Sequence, residues 1–158
     1  MIGDATYTRN GEDSGERLDR HWNELLQELR LAQTGTQILF AFLLSISFQT
    51  RFQEADQYTH TVYAITVIAA AIAVALFLAP VAFHRMVYRR NLRDRLLTNA
   101  DRCARAGLVS LIVAVSGSVL LALDVVMPRS GSIISVAAVL ACFLGLWFAL
   151  PAFVRRAR

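Results

Sequence analysis

Four stretches of this 158-residue chain are long enough to cross a hydrocarbon layer and carry almost no charge. Leu31–Thr50 and Thr61–Phe83 contain no charged side chain, Gly131–Val154 contains none, and Ala106–Pro128 contains only Asp124. About 20 helical residues at about 1.5 Å each cover the roughly 30 Å of a bilayer core. Such runs constrain the fold severely, because in lipid every backbone N–H and C=O must find a partner within the chain, and only helices and closed barrels provide that. Runs of this length predict helices. The expected class is therefore all-α, a four-transmembrane-helix bundle. Composition points the same way, with 56% hydrophobic residues against 18% charged and a mean hydropathy of +0.46; soluble domains carry about 25% charged residues. A two-domain soluble enzyme is not expected, and two Cys make no disulfide framework.

Charge placement predicts the orientation. All sixteen basic residues are Arg. The N-terminal segment, the central loop and the C-terminal tail together hold fourteen of them, while the two segments on the other side hold Arg51 and Arg129. Basic loops stay on the cytoplasmic side, so both termini are expected there, in a multi-pass membrane protein. The first thirty residues are polar and lack the basic and apolar regions of a secretory signal, so the first span is expected to be retained as an anchor.

Outside the spans, residues 1–17 mix Gly, Ser and acids without an apolar period and read as a disordered leader. Residues 18–158 then form a single membrane domain. Its first part, residues 18–30, is an amphipathic helix with Leu18, Trp22, Leu25, Leu26 and Leu29 on one face. It can lie in the interface, pack on its own bundle or dock a partner protein. The segment from His84 to Arg105 has no Gly or Pro and places Arg85, Arg89 and Arg93 at four-residue intervals. Helices two and three are expected to continue into a cytoplasmic hairpin that reverses near Thr98–Asp101, where Thr98 and Asn99 can cap a helix. The acidic side of the leader helix, with Glu24 and Glu28 beside Arg30, complements this basic hairpin, and the two are expected to pack together. Binding of anionic headgroups, or charge that only sets topology, are the other uses of such a basic stretch.

Within the spans three patterns stand out. Small residues recur every fourth position: Ala106, Ser110, Ala114, Ser118 and Ala122 in span three, Ala137, Ala141, Gly145 and Ala149 in span four, and Ala71, Ala75 and Ala79 in span two. Such rows let helices approach closely in lipid, for bundle packing or for an oligomer interface, although a four-residue row drifts about 40° per step round the helix. Gly35 in span one belongs to the same packing class. Span one also carries Gln33, Thr34, Gln37, Ser45 and Gln49. Amides facing lipid are costly, so these side chains are expected to face protein or a wet cavity, as interhelical hydrogen bonds or as the lining of a path. Asp124 is the third feature. It lies about 6 Å before the helix-ending Pro128 and can pair with Arg51, His60 or Arg129, or serve as a proton or cation site.

No catalytic residues emerge. His60 and His84 stand about 36 Å apart along one helix, so they cannot share a metal, and His21 has no Cys or acid at ligand spacing. No phosphate-binding Gly loop or nucleophile elbow is present. The expectation is no catalysis, no metal, no cofactor and no nucleic-acid partner. The bilayer itself, anionic lipid headgroups, further copies of the chain and an unidentified membrane protein are the expected partners.

The segment WNELLQELRLAQTGTQILFAFLLSISFQTRF from Trp22 to Phe52 resembles the signature of an uncharacterised bacterial family of small four-span membrane proteins, a domain of unknown function. APVAFHR at Ala79–Arg85, NADR at Asn99–Arg102 and LDVV around Asp124 extend the resemblance over nearly the whole chain after the leader. It implies a four-span fold, and some members carry an automatic sodium/proton antiporter label. Its signature falls on Glu24, Glu28, Arg30, Gln33, Thr34, Gly35, Gln37, Arg51 and Phe52. The expected function is a non-enzymatic, self-associating assembly or accessory component; the alternative is a small channel or cation/proton transporter.

Overall fold

The protein is described by a computed structural model covering residues 14–87 and 93–149, with side chains at residues 20–83, 99–147 and 149. Five α-helices follow one another: α1 (Ser14–Ile46), the one-turn α2 (Thr50–Gln53), α3 (Gln57–Val87), α4 (Arg93–Asp124) and α5 (Arg129–Leu144), which runs into a π-helical segment at Gly145–Ala149. Four of them, α1, α3, α4 and α5, are long and apolar enough to cross a membrane. No strand occurs among the described residues.

Several expected boundaries move, each for a local reason. The amphipathic segment and the first span form one continuous helix, α1, which begins at Ser14 rather than Leu18. Residues 14–17, expected in the leader, are therefore helical, and the rest of the leader lies outside the described residues. No Gly or Pro separates the amphipathic part from the span, so nothing interrupts the hydrogen-bond ladder. At its other end α1 stops at Ile46 instead of Thr50. There the Ser45 and Ser47 hydroxyls donate to the carbonyls of Phe42 and Leu44 at 2.7 and 2.8 Å, and such side-chain bonds compete with the helix. Span three ends at Asp124, because Pro128 disfavours helical backbone at the residue before it. Pro128 then precedes α5, and its carbonyl accepts from Gly131 N–H at 2.8 Å.

The expected reversal at Thr98–Asp101 is not there. These residues lie inside α4, where Asp101 and Arg105 form an ion pair one turn apart. With no breaker between Arg93 and Ala106 the helix simply continues, and α3 connects to α4 through residues 88–92, outside the described residues. The end of span four, residues 150–154, also lies outside them.

Packing centres on the α3/α4 pair, the most extensive interface; α1 packs across both, and α5 packs on α4. One core cluster joins Leu43 of α1 to Ala69 and Ala70 of α3 and Ala114 of α4. The other joins Leu29 of α1 to Ala73 and Phe77 of α3, flanked by Leu25, Ala104 and Leu108. Leu25 and Leu29 thus bring the amphipathic part of α1 onto the bundle, where its apolar face packs on α3 and α4.

Among the described residues, the buried Ala and Gly of α4 are spaced by seven rather than four. Ala100, Gly107 and Ala114 are buried, and a seven-residue row stays within about 20° on one helix face. A Cβ on Gly107 would stand 2.6 Å from Cε1 of Phe77, and one on Gly117 would overlap Oγ1 of Thr66. Within the expected four-residue row of span three, only Ala114 is buried; Ser110 and Ser118 are half-buried, and Ala106 and Ala122 are exposed. Ala71 and Ala75 of α3 and Ala137 and Ala141 of α5 also face outward. Gly35 and Gly145 have nothing within 4 Å of a Cβ position, so neither mediates packing within the bundle.

Candidate functional site

Polar side chains gather at the end of the bundle where α1 and α4 stop and α3 and α5 start. Asp56 caps α3: its Oδ1 accepts from the Thr59 N–H at 3.0 Å and from the Thr59 hydroxyl at 2.6 Å. This satisfies donors that a helix N-terminus leaves open. Its other oxygen, Oδ2, accepts from Arg129 Nη2 at 2.7 Å. The same Nη2 lies 3.5 Å from Oδ2 of Asp124, and the guanidinium sits 4.2 Å over the ring of Tyr58. One arginine therefore ties the start of α3, the end of α4 and the start of α5 together.

Helix dipoles explain why the three charges need each other. An acid at a helix C-terminus and a cation at an N-terminus are both unfavourable alone, yet Asp124 ends α4 and Arg129 begins α5. Each offsets the other. The hydrogen bonds from Thr59, followed by that from Arg129, hold the Asp56 carboxyl well below the usual carboxylate range. Both of its oxygens are engaged as an anion, which suits a clasp better than a proton carrier.

Beside the clasp, the α2 turn packs over the entrance of α3. The Phe52 ring meets His60 edge-on at 4.9 Å and Tyr63 at 4.5 Å. His60 Nε2–H donates to the Phe52 carbonyl at 3.0 Å, and the Tyr63 hydroxyl donates to the Leu43 carbonyl of α1 at 2.9 Å. Of the three side chains considered for Asp124, Arg129 lies beside it, His60 binds α2, and Arg51 forms no ion pair among the described residues.

The polar residues of α1 lie elsewhere. Gln33 is half-buried, while Thr34, Gln37, Ser45 and Gln49 are exposed on the outside of the bundle. Within one copy they therefore line no cavity, because the inward face of α1 is taken by Leu29, Thr36 and Leu43. The Thr34 hydroxyl donates to the Arg30 carbonyl at 2.9 Å, so it is satisfied by its own helix. Glu24 lies 4.0 Å from Arg20 on α1, and neither Glu24 nor Glu28 pairs with an arginine of another helix among the described residues. Arg30 is exposed. Arg89 and the side chains of Arg85 and Arg93 lie outside the described residues. No group of three potential metal ligands occurs among the residues described.

Asp56, Tyr58, Thr59 and Tyr63 escape a reading that looks only for charge inside spans. The Asp-x-x-Thr spacing just before an apolar run was the available signal, a helix N-cap.

Four apolar helices closed at one end by a shared ion pair define a multi-pass helical membrane protein. More particularly, the chain belongs to the family of unknown function DUF6328, whose profile matches residues 11–151. No curated protein and no solved structure matches the chain.

The clasp predicts a specific pattern of stability. Asp56→Asn keeps a capping side chain but removes the charge, so it will lower the melting temperature less than Asp56→Ala. Asp56→Asn combined with Arg129→Gln will cost little more than either alone, and 1 M salt will narrow the difference from wild type. The folded carboxyl titrates below the unfolded one, so its contribution is full above the ordinary carboxylate range and is lost as pH falls through the lowered folded value. Thermal scans should show this contribution unchanged between about pH 6 and pH 8; a clasp-dependent drop in that window would contradict the assignment.

Proposed function

We propose that this chain is a non-enzymatic integral membrane protein that self-associates as an assembly or accessory component, using its outer surfaces rather than a chamber within one copy. The observation that carries this reading is what the interior does with its polar groups. Thr36 and Thr66 are buried and donate to the carbonyls of Ala32 and Val62, each at 2.7 Å, and half-buried Ser118 donates to Ala114 at 2.7 Å. Each of these hydroxyls has given its proton to its own helix, so none is left to donate to a solute. Ser116 is the one buried side chain without a hydrogen bond among the described residues, and a single hydroxyl makes no path.

In this reading the chain sits in a bacterial plasma membrane with both termini cytoplasmic, and its arginines can engage anionic headgroups there. An unidentified membrane protein is a further partner. A second reading, a small channel or cation/proton transporter, draws on the outward placement of Thr34, Gln37 and Ser45, since a ring of copies would turn that face toward a shared axis.

Reconstitution separates the two. Mass measurement of the full chain in lipid nanodiscs is expected to find an oligomer, and liposomes containing it are expected to pass neither H⁺ nor Na⁺ above protein-free controls. Flux abolished by Asp124→Asn or Gln37→Leu would overturn the first reading in favour of the second.

A further inference from the structure

The exposed side of α1 divides into two arcs. At about 100° per residue, Leu31, Gly35, Ile38 and Phe42 fall together, and so, next to them, do Arg30, Thr34, Gln37, Ala41 and Ser45. The first arc suits lipid: Leu31, Ile38 and Phe42 are 78%, 56% and 67% exposed. The second does not, because Gln37 stands within it, exposed and making no hydrogen bond among the described residues. Thr34 and Ser45 donate to carbonyls of their own helix, and Arg30 lies about 24 Å along the helix from Ile46, within reach of water, so Gln37 is the side chain at membrane depth in this arc left in need of a partner.

Depth makes that need acute. Gln37 lies about 13 Å along α1 from its outer end at Ile46, close to the middle of a hydrocarbon core about 30 Å thick. No water reaches a primary amide there, and lipid tails offer it neither donor nor acceptor.

We propose that the Thr34–Gln37–Ala41–Ser45 arc of α1 is the contact between two copies of this chain, joined by a reciprocal hydrogen bond between their Gln37 amides. The proposal rests on the self-association reading and names its surface. Two arguments select a second copy as occupant. A primary amide carries both donor and acceptor, so two of them related by a two-fold axis satisfy each other. All copies insert with the same orientation, so that axis lies along the membrane normal, the two α1 helices run parallel, and Gln37 meets Gln37 at equal depth. Any other partner would have to present a matching group at that depth. Ala41, one turn further on, is small enough to let the helices close on the amide pair.

The test uses the full chain in phosphatidylethanolamine/phosphatidylglycerol bilayers, with Cys103→Ser and Cys142→Ser as background. Single cysteines placed at Thr34 or Ala41 should form covalent dimers on mild oxidation, whereas cysteines at Ile68 of α3 or Ile134 of α5, both exposed, should not. Gln37→Leu should weaken dimerisation about ten-fold, and Gln37→Asn, which keeps an amide, should weaken it less. Because Gln37 is exposed and makes no hydrogen bond to its own bundle among the described residues, Gln37→Leu should leave helicity and melting of the dissociated protein unchanged. An oligomer undiminished in Gln37→Leu, or crosslinked through Ile68 or Ile134, would overturn this interface while leaving self-association standing. A wild-type chain that stays monomeric at high protein-to-lipid ratio would overturn both, and a dimer only with a different co-purifying protein would replace the second copy as occupant.

Discussion

Gly117→Ala will destabilise the protein by about 3 kcal/mol, at the upper end of what overpacking costs. The expectation runs against helix propensity, by which replacing a mid-helix Gly with Ala stabilises by about 1 kcal/mol. The sign is therefore diagnostic of the close α3/α4 contact. An alanine Cβ at this position would overlap the Thr66 hydroxyl oxygen and stand 3.0 Å from its Cβ and 3.1 Å from its Cγ2. Thr66 cannot yield, because it is β-branched, 1% exposed and tied by its hydroxyl to the Val62 carbonyl. The helices must separate instead. Thr66→Ala should recover part of the loss, since it removes two of the three clashing atoms and leaves the Cβ. Reversible unfolding in mixed detergent and denaturant would read the cycle, and a Gly117→Ala protein as stable as wild type would mean that α3 and α4 do not approach so closely.

Phe77→Ala should cost about 2–4 kcal/mol, below or within the low part of the range for soluble cores. Phe77 is the largest of the fully buried side chains, 1% exposed, with Leu29, Ala73 and Gly107 around it. In a membrane the unfolded reference still lies in hydrocarbon, so the transfer from water that dominates soluble cores contributes little. What remains is the loss of dispersion contacts and the cavity beside Gly107. A second change tests that geometry: Gly107→Ala, which clashes with the Phe77 ring in the wild type, should be tolerated much better in the Phe77→Ala background. Equal cost of Gly107→Ala in both backgrounds would remove the ring as the cause.

The two positions show where sequence reading stops. Four charge-free runs announce four helices, because lipid forces backbone groups to pair within each segment and leaves no competing secondary structure. The apolar face of residues 18–30 likewise announced an amphipathic helix, without deciding between the interface, the bundle and a partner as its neighbour. Which small residues touch a neighbour was not legible. Ala106, Ser110, Ala114, Ser118 and Ala122 form the more conspicuous row, yet α3 seats on Gly107, Ala114 and Gly117. The spans in α3, α4 and α5 are apolar almost all round, since lipid and helix neighbours demand similar side chains, and hydrophobic periodicity therefore loses its power to mark the inward face.

The polar candidates divide in the same way. Asp124 and Arg129 are five residues apart and separated by a helix-ending proline, so their proximity follows from the chain itself. Asp56 is 73 residues from Arg129, and nothing local in either segment marks them as partners. The glutamines of α1 were recognisable as too polar for lipid, but their direction was not.

The sequence by itself determined that the chain has four segments apolar enough to cross a membrane, and that its arginines gather in the N-terminal segment, the central loop and the C-terminal tail. Those properties follow from the free energy of placing each segment in water or hydrocarbon, which is local and additive along the chain. Only the tertiary structure decided that Thr66 and Phe77 seat on glycines of α4, that Arg129 joins Asp56 to Asp124, and that Gln37 turns away from its own bundle. Those depend on how helices rotate and cross against one another, and rotation is set by steric fit between side chains far apart in sequence.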